Sequence, residues 1–140
     1  MWRKLVVTSM RVLLIVAYHL LAAGLLNIRI EHFTRHAAGL LMSYLLPLTL
    51  LALTAHLYFI HSSRKRKAAW LVGSTVPSTI LLYRITGGYD SLEEQALFIF
   101  DRYSIEMGIW FPFMYLVIQF VLLLAWLAEW RSQRDGTSYN

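Results

Sequence analysis

The chain has 140 residues, of which 58% are hydrophobic and 15% charged, and it contains no cysteine. That composition is too apolar for an ordinary soluble domain of this size. The formal net charge of +5 does not indicate nucleic-acid binding, because the cations cluster beside apolar segments instead of covering a polar module. Without cysteine, disulfides, thiolate metal sites and thiol nucleophiles are excluded. We therefore expect one all-α integral membrane domain over residues 1–140, with no cofactor.

Four stretches approach the roughly 20 apolar residues that a transmembrane helix needs. In chain order they cover residues 10–28, 39–60, 68–85 and 108–130. The third is the most polar, and a re-entrant segment in its place is the alternative.

The amino-terminal stretch also resembles a secretory signal, with small residues at 22–24 as a cleavage site. Apolar residues continue beyond that site at Leu25 and Leu26, which favours a retained span.

Lys and Arg are concentrated in cytoplasmic loops and ends, so their distribution predicts the orientation. Four spans place both termini on the side of the loop 61–67. That side carries nine cations: Arg3, Lys4, Arg11, Arg64, Lys65, Arg66, Lys67, Arg131 and Arg134. The opposite side carries four: Arg29, Arg35, Arg84 and Arg102.

This bias predicts a multi-pass protein of the cytoplasmic (inner) membrane with both termini and loop 61–67 in the cytoplasm. Outer loops then cover residues 29–38 and 86–107, and a flexible tail covers 132–140. The run Arg64, Lys65, Arg66 and Lys67 sets this topology and meets the anionic lipid of the bilayer. Trp2, Trp70, Trp126 and Trp130 fall at predicted inner boundaries and Trp110 at an outer one, as interfacial belts require.

The second outer loop has its own helix signal. Ser91 followed three residues later by Glu94 is a capping box, which predicts a short amphipathic outer helix before the fourth span. It is either an interfacial connector or a docking surface for a cationic partner. The docking candidates are its acids and aromatics: Asp90, Glu93, Glu94, Phe98, Asp101 and Tyr103.

The first outer loop holds His32 and His36, whose i, i+4 spacing puts both imidazoles on one helix face. With a third ligand they could take zinc or copper, but two histidines alone do not make a metal motif. A solvated, titratable pair is the simpler interpretation, and we predict no metal site.

Four polar side chains fall inside the predicted spans: His19, His56, Thr75 and Gln119. They can form hydrogen-bonded helix contacts, handle protons or a solute, or, for the two histidines, ligate haem. The histidines differ in predicted depth by roughly 10 Å, which argues against one shared iron. Small or hydroxyl residues repeat every four positions from 73 to 79, which predicts close helix packing.

No carboxylate lies in the interior of a predicted span, and no P-loop, HExxH or GxSxG motif occurs. We therefore expect no enzymatic activity and assign no catalytic residue. The prediction is a membrane protein that binds another membrane or periplasmic protein, as an accessory subunit of a complex or an immunity-type protector against a toxin. The alternative is a small transporter or channel component that uses the polar third span. A second copy of the chain is a further candidate partner.

Overall fold

The computed structural model describes residues 1–26, 37–60, 62–87 and 106–136, and within these ranges the chain is helical apart from short caps and links. The helices are α1 (Trp2–Leu25), α2 (Ala37–Ile60), α3 (Arg64–Gly87) and α4 (Phe111–Gly136). A π-helical turn, Glu106–Trp110, leads directly into α4. The predicted all-α architecture is confirmed for these residues.

Successive helices run in opposite directions. Thr8 near the start of α1 contacts His56 near the end of α2, and Arg66 at the start of α3 pairs with Glu129 late in α4. The link of residues 62 and 63 joins α2 to α3 at the same end of the bundle. This end, which we call the cationic end, therefore holds the starts of α1 and α3 and the ends of α2 and α4.

Three helical stretches are long and apolar enough to cross a membrane: Trp2–Leu25, Leu41–Ile60 and Gly108–Gly136. The third helix, α3, is not among them because its first turn is basic and its centre is polar. It has 24 residues, as α1 and α2 do, and it packs against all the other helices. The polar centre of α3 therefore coincides with a buried face at Ser74 and Ser78, whereas Val72 and Ile80 on its other side are exposed.

The basic run that we expected to lie wholly in a loop forms the first turn of α3, so the loop is shorter than the predicted 61–67. The carbonyl of Ser63 accepts the backbone N–H groups of Arg66 and Lys67 at 3.1 and 3.2 Å, which starts the helix there. Within this turn Arg66 and Lys67 are half-buried, whereas Arg64 and Lys65 are exposed.

The carboxyl end of α4 also differs from the sequence prediction. The helix continues to Gly136, so the first part of the predicted flexible tail 132–140 is helical. The Arg134 guanidinium lies 5.1 Å from the centroid of the Trp130 ring one turn earlier, a contact that supports the added turns. At the other end of α4, the π-helical turn precedes Pro112, which has no backbone N–H to donate.

Two clusters of buried side chains form the interior of the bundle, and many other apolar side chains are exposed on its surface. Toward the cationic end, one cluster consists of Ile15, Leu51, Ala55, Tyr58, Trp70 and Tyr115. Toward the opposite end, a second consists of Ala23, Leu82 and Phe111. Trp70 is 1% exposed, so it faces the bundle interior and not the interfacial belt in which we had expected it.

Candidate functional site

The buried face of α3 carries the residues around which the candidate site is built. Trp70, Ser74 and Ser78 follow one another every four residues, which places them along one side of the helix. Each is at most 1% exposed. Polar groups buried in this way need hydrogen-bond partners, and the neighbouring helices supply them.

Gln119 of α4 connects α2 to α3 through its side-chain amide. Thr54 Oγ1 donates to Gln119 Oε1 at 2.7 Å, and Gln119 Nε2 donates to Ser74 Oγ at 3.1 Å. The Trp70 indole N–H in turn donates to Thr54 Oγ1 at 2.9 Å. Donor and acceptor alternate along this chain of bonds, so both polar ends of the fully buried amide are satisfied.

His19 joins α1 to the same face of α3. Its Nδ1 lies 2.7 Å from the carbonyl oxygen of Ile15, and its Nε2 lies 2.5 Å from Ser78 Oγ. A carbonyl can only accept, so Nδ1 carries a proton. In the neutral ring Nε2 is then the acceptor, and the Ser78 hydroxyl donates to it.

Tyr115 of α4 connects these two groups of bonds. Its hydroxyl donates to the Ser74 carbonyl at 3.2 Å, and its ring centroid lies 5.4 Å from that of His19. All four helices therefore meet along one line of polar side chains. We call this line the polar seam: His19, Thr54, Trp70, Ser74, Ser78, Tyr115 and Gln119.

The His19 end of the polar seam can accept a proton without losing its contact to α3. Ser78 Oγ lies 2.9 Å from the Thr75 carbonyl as well as within reach of His19. If His19 Nε2 gains a proton, it becomes the donor to Ser78 Oγ, and the Ser78 proton turns to the Thr75 carbonyl. Every group keeps a partner in both forms, so a proton at His19 would not break the contact between α1 and α3.

The polar seam brings together two of the predicted intramembrane residues, His19 and Gln119. Thr75 lies beside it, but its own hydroxyl donates to the Leu71 carbonyl at 2.7 Å within the same helix. His56 is elsewhere, with its Nδ1 3.5 Å from Thr8 Oγ1. The two histidines therefore take part in separate helix contacts.

The predicted outer-side residues cannot be placed in the same way. His32 and His36, the capping box at Ser91, and the docking candidates Asp90, Glu93, Glu94, Phe98, Asp101 and Tyr103 lie outside the described residues. Within the described ranges no group of three or more His, Asp or Glu side chains is arranged to hold a metal ion.

Sequence reasoning did not identify Thr54, Trp70 or Tyr115 as parts of the site. A usable signal was the four-residue spacing of Trp70 with Ser74 and Ser78, and of Tyr115 with Gln119. Thr54 carries no such signal, because it is one hydroxyl in a leucine-rich stretch and its partners come from other helices.

No protein-family model matches the chain, and no curated protein or solved structure does. Function is therefore inferred from the residues and their geometry. Both ends of the polar seam consist of side chains bonded to each other across helices, which is an arrangement suited first to holding a bundle together.

Proposed function

We propose that this chain is a non-enzymatic, four-span protein of the cytoplasmic membrane that works by binding a protein partner. The partner is another membrane or periplasmic protein. The chain is either an accessory subunit of a complex with that partner, or a protector that binds a toxin at the outer side of the membrane.

One observation carries this proposal: the polar side chains buried inside the bundle form hydrogen bonds with one another and with its helices, so they are not free to bind a solute. Gln119, Thr54 and Ser74 bond one another at 2.7 and 3.1 Å, and His19 is held at both ring nitrogens. Among the described residues, Ser62 Oγ is the one buried side-chain polar atom without a partner, and it lies in the link at the cationic end. Recognition is then left to the surfaces and the loops.

The four-span topology is supported by the bundle arrangement and by the charges. The starts of α1 and α3 lie at the cationic end with the carboxyl end of α4, and all but one of the described Lys and Arg residues belong to that end. The exception is Arg84 in the last turn of α3. If all four helices cross the membrane, the positive-inside rule puts both termini in the cytoplasm. The outer loops are then residues 29–38 and 86–107.

Because the chain has no cysteine, single cysteines can test this topology directly. In a bacterial inner membrane, a maleimide that crosses only the outer membrane should label Ser104→Cys in intact cells. Ser63→Cys and Ser138→Cys should react only after the inner membrane is permeabilised. If α3 does not cross, Ser104→Cys becomes protected and Ser138→Cys becomes accessible, which overturns the four-span proposal.

The partner is expected to dock on the acidic outer loop, since acids there complement a cationic surface. The experiment is affinity purification of the tagged chain from its native membrane, followed by a pull-down of the identified companion. The variant Glu93→Lys/Glu94→Lys/Asp101→Lys should lose the companion. Asp135→Lys, a charge reversal at the opposite end, is the control and should retain it. Equal capture by both variants contradicts docking at the outer loop.

A small transporter or channel component is the second candidate, favoured by the two hydrogen-bonded forms available to His19 and Ser78. A proton that binds at His19 moves the Ser78 hydroxyl proton and leaves the helix contact intact. Proton movement through the bundle could use this step, although α1, α2 and α3 contain no Asp or Glu that would continue the path.

Proton flux in proteoliposomes distinguishes the two candidates. Transport predicts a flux above that of empty vesicles that falls in His19→Asn and Ser78→Ala. Ser9→Ala, at an exposed position of α1, is the control and should leave the flux unchanged. A proton flux equal to that of empty vesicles removes proton transport, and the same assay with solutes tests the remaining transport candidates.

A further inference from the structure

Two cations from different helices converge on one aromatic ring near the cationic end. The Arg11 guanidinium carbon lies 3.8 Å from the centroid of the Phe59 ring, and Lys67 Nζ lies 5.6 Å from the same centroid. The three residues come from α1, α2 and α3 respectively. We call these three residues the cationic groove.

The cationic groove is built into the bundle and is not a feature of mobile surface side chains. Arg11, Phe59 and Lys67 are all half-buried. The Phe59 ring is held edge-on against the buried indole of Trp70, with centroids 5.4 Å apart and planes at 90°. The neighbouring Arg64 and Lys65 belong to the same basic run but are exposed.

The positive charge of the cationic groove lacks a nearby acid. Helices α1, α2 and α3 contain no Asp or Glu. Glu129 of α4 is bonded to Arg66 at 2.9 Å, and within the described residues neither Arg11 nor Lys67 pairs with a carboxylate. The Phe59 ring attracts each cation, but it does not neutralise their positive charge. An anion that accepts hydrogen bonds from both side chains would do so.

The residues around the cationic groove are arranged to contact both parts of a lipid molecule, its headgroup and its acyl chains. Long basic side chains extend from apolar helix surface to the headgroup level. One helical turn deeper, Leu14 follows Arg11 on α1 and Leu71 follows Lys67 on α3, and both are exposed, at 67% and 50%. Charge at the headgroup level with apolar side chains below it matches a phosphate and its acyl chains.

We propose that the cationic groove binds the phosphate of an anionic phospholipid headgroup, with the Arg11 guanidinium and the Lys67 ammonium as donors and the lipid chains lying along Leu14 and Leu71. A guanidinium offers two parallel N–H donors to phosphate oxygens, and the ammonium adds a point charge. This is a defined site that differs from the general attraction of a basic loop for an anionic surface. It does not depend on which protein partner the chain has.

The test measures lipid binding to the purified full-length chain in detergent by native mass spectrometry. Dioleoylphosphatidylglycerol is titrated against dioleoylphosphatidylcholine as the zwitterionic reference. The wild-type chain should retain one phosphatidylglycerol in preference to phosphatidylcholine. Arg11→Gln/Lys67→Gln should weaken that binding roughly thirtyfold, as expected for two cations at the membrane surface. Equal retention of the two lipids by the wild type overturns the proposal.

The matched control is Arg64→Gln/Lys65→Gln, which removes two positive charges from the first turn of α3 but leaves the cationic groove intact. It should change the affinity by less than about threefold. If both double variants weaken binding equally, the attraction is general surface charge and the site does not exist. If the double variant fails to fold, the single variant Lys67→Gln repeats the test. Its binding of phosphatidylglycerol should be weaker than that of Lys65→Gln.

A competition arm distinguishes a lipid from a soluble phosphate. Glycerol 3-phosphate at millimolar concentration should leave the bound phosphatidylglycerol in place, because it has no acyl chains to contact Leu14 and Leu71. Displacement of the lipid at that concentration means that the cationic groove takes soluble phosphate esters, which overturns its assignment to a lipid.

Discussion

Helices α1 and α3 have the same length but opposite roles in the bundle. Among its described side chains, α1 has two buried residues, Ile15 and Ala23, and most of its leucines face outward. The more polar α3 buries two serines, Ser74 and Ser78, beside Trp70 and Leu82. In water the more apolar helix would be the more buried one. Here the relation is reversed.

The reversal follows from the solvent around a membrane protein. Lipid tails are as apolar as leucine, so burying a leucine against another helix brings no hydrophobic gain. Small residues let helices approach closely, and buried hydroxyl and amide groups bond across the contact. The small and polar face of α3 is therefore buried against the other helices, whereas the leucines of α1 face outward. The comparison between α1 and α3 makes three predictions of decreasing size.

The largest effect is expected for a glycine exchanged in each helix. A Cβ at Gly73 of α3 would lie 3.1 Å from Leu122 Cδ2, so a leucine there has to displace the Leu122 side chain. Gly73→Leu should lower the free energy of unfolding by about 1–3 kcal/mol. Gly24→Leu in α1 is the control, since a Cβ there meets no atom within 4 Å. Unfolding in mixed micelles, followed by tryptophan fluorescence, measures both, and equal losses contradict the packing of α3.

A smaller effect is expected for the hydrogen bonds of the polar seam. In a double-mutant cycle, Ser74→Ala and Gln119→Leu should show a coupling of about 0.6 kcal/mol, with an upper bound near 1.7 kcal/mol. Ser9→Ala in α1 removes the same hydroxyl from an exposed position, and its coupling to Gln119→Leu should be zero. The same unfolding assay provides the values. A Ser74 coupling no larger than that of Ser9 shows that the polar seam does not hold α3 to α4.

The smallest effect is expected for the ion pair at the cationic end. Arg66 and Glu129 are 2.9 Å apart, but the Glu129 side chain is 53% exposed. Glu129→Gln should therefore change the free energy of unfolding by less than about 1 kcal/mol, and the change should shrink in high salt. Asp135→Asn, at another exposed acid of α4, is the control. A loss comparable to that of Gly73→Leu means that α3 is held by charge and not by close packing.

Part of the candidate site was predictable from the sequence and part was not. His19 and Gln119 stand out because an ionisable group or an amide within an apolar stretch is rare. The repeat of small residues around Ser74 and Ser78 identified α3 as a packing helix. Which side chains bond to one another depends on the rotation of each helix about its axis, and hydropathy does not encode that rotation.

The cationic groove shows the same limit. The basic run at residues 64–67 is conspicuous in the sequence, and its attraction to anionic lipid follows from charge alone. The run becomes helical directly after Ser63, and in a helix Lys65 and Lys67 point to nearly opposite sides of the axis. Only the tertiary structure brings Lys67 beside Arg11, because 56 positions separate them along the chain.

The sequence by itself determined the solvent and the class of the fold: its apolar stretches require lipid, its clustered cations require one polar end, and neither property depends on how the helices rotate. The tertiary structure decided which face of α3 is buried, that His19 reaches Ser78, and that two distant cations contact the Phe59 ring. The reason is physical. Transfer into the bilayer depends on the composition of each segment, whereas packing within it depends on the faces that several segments present to one another.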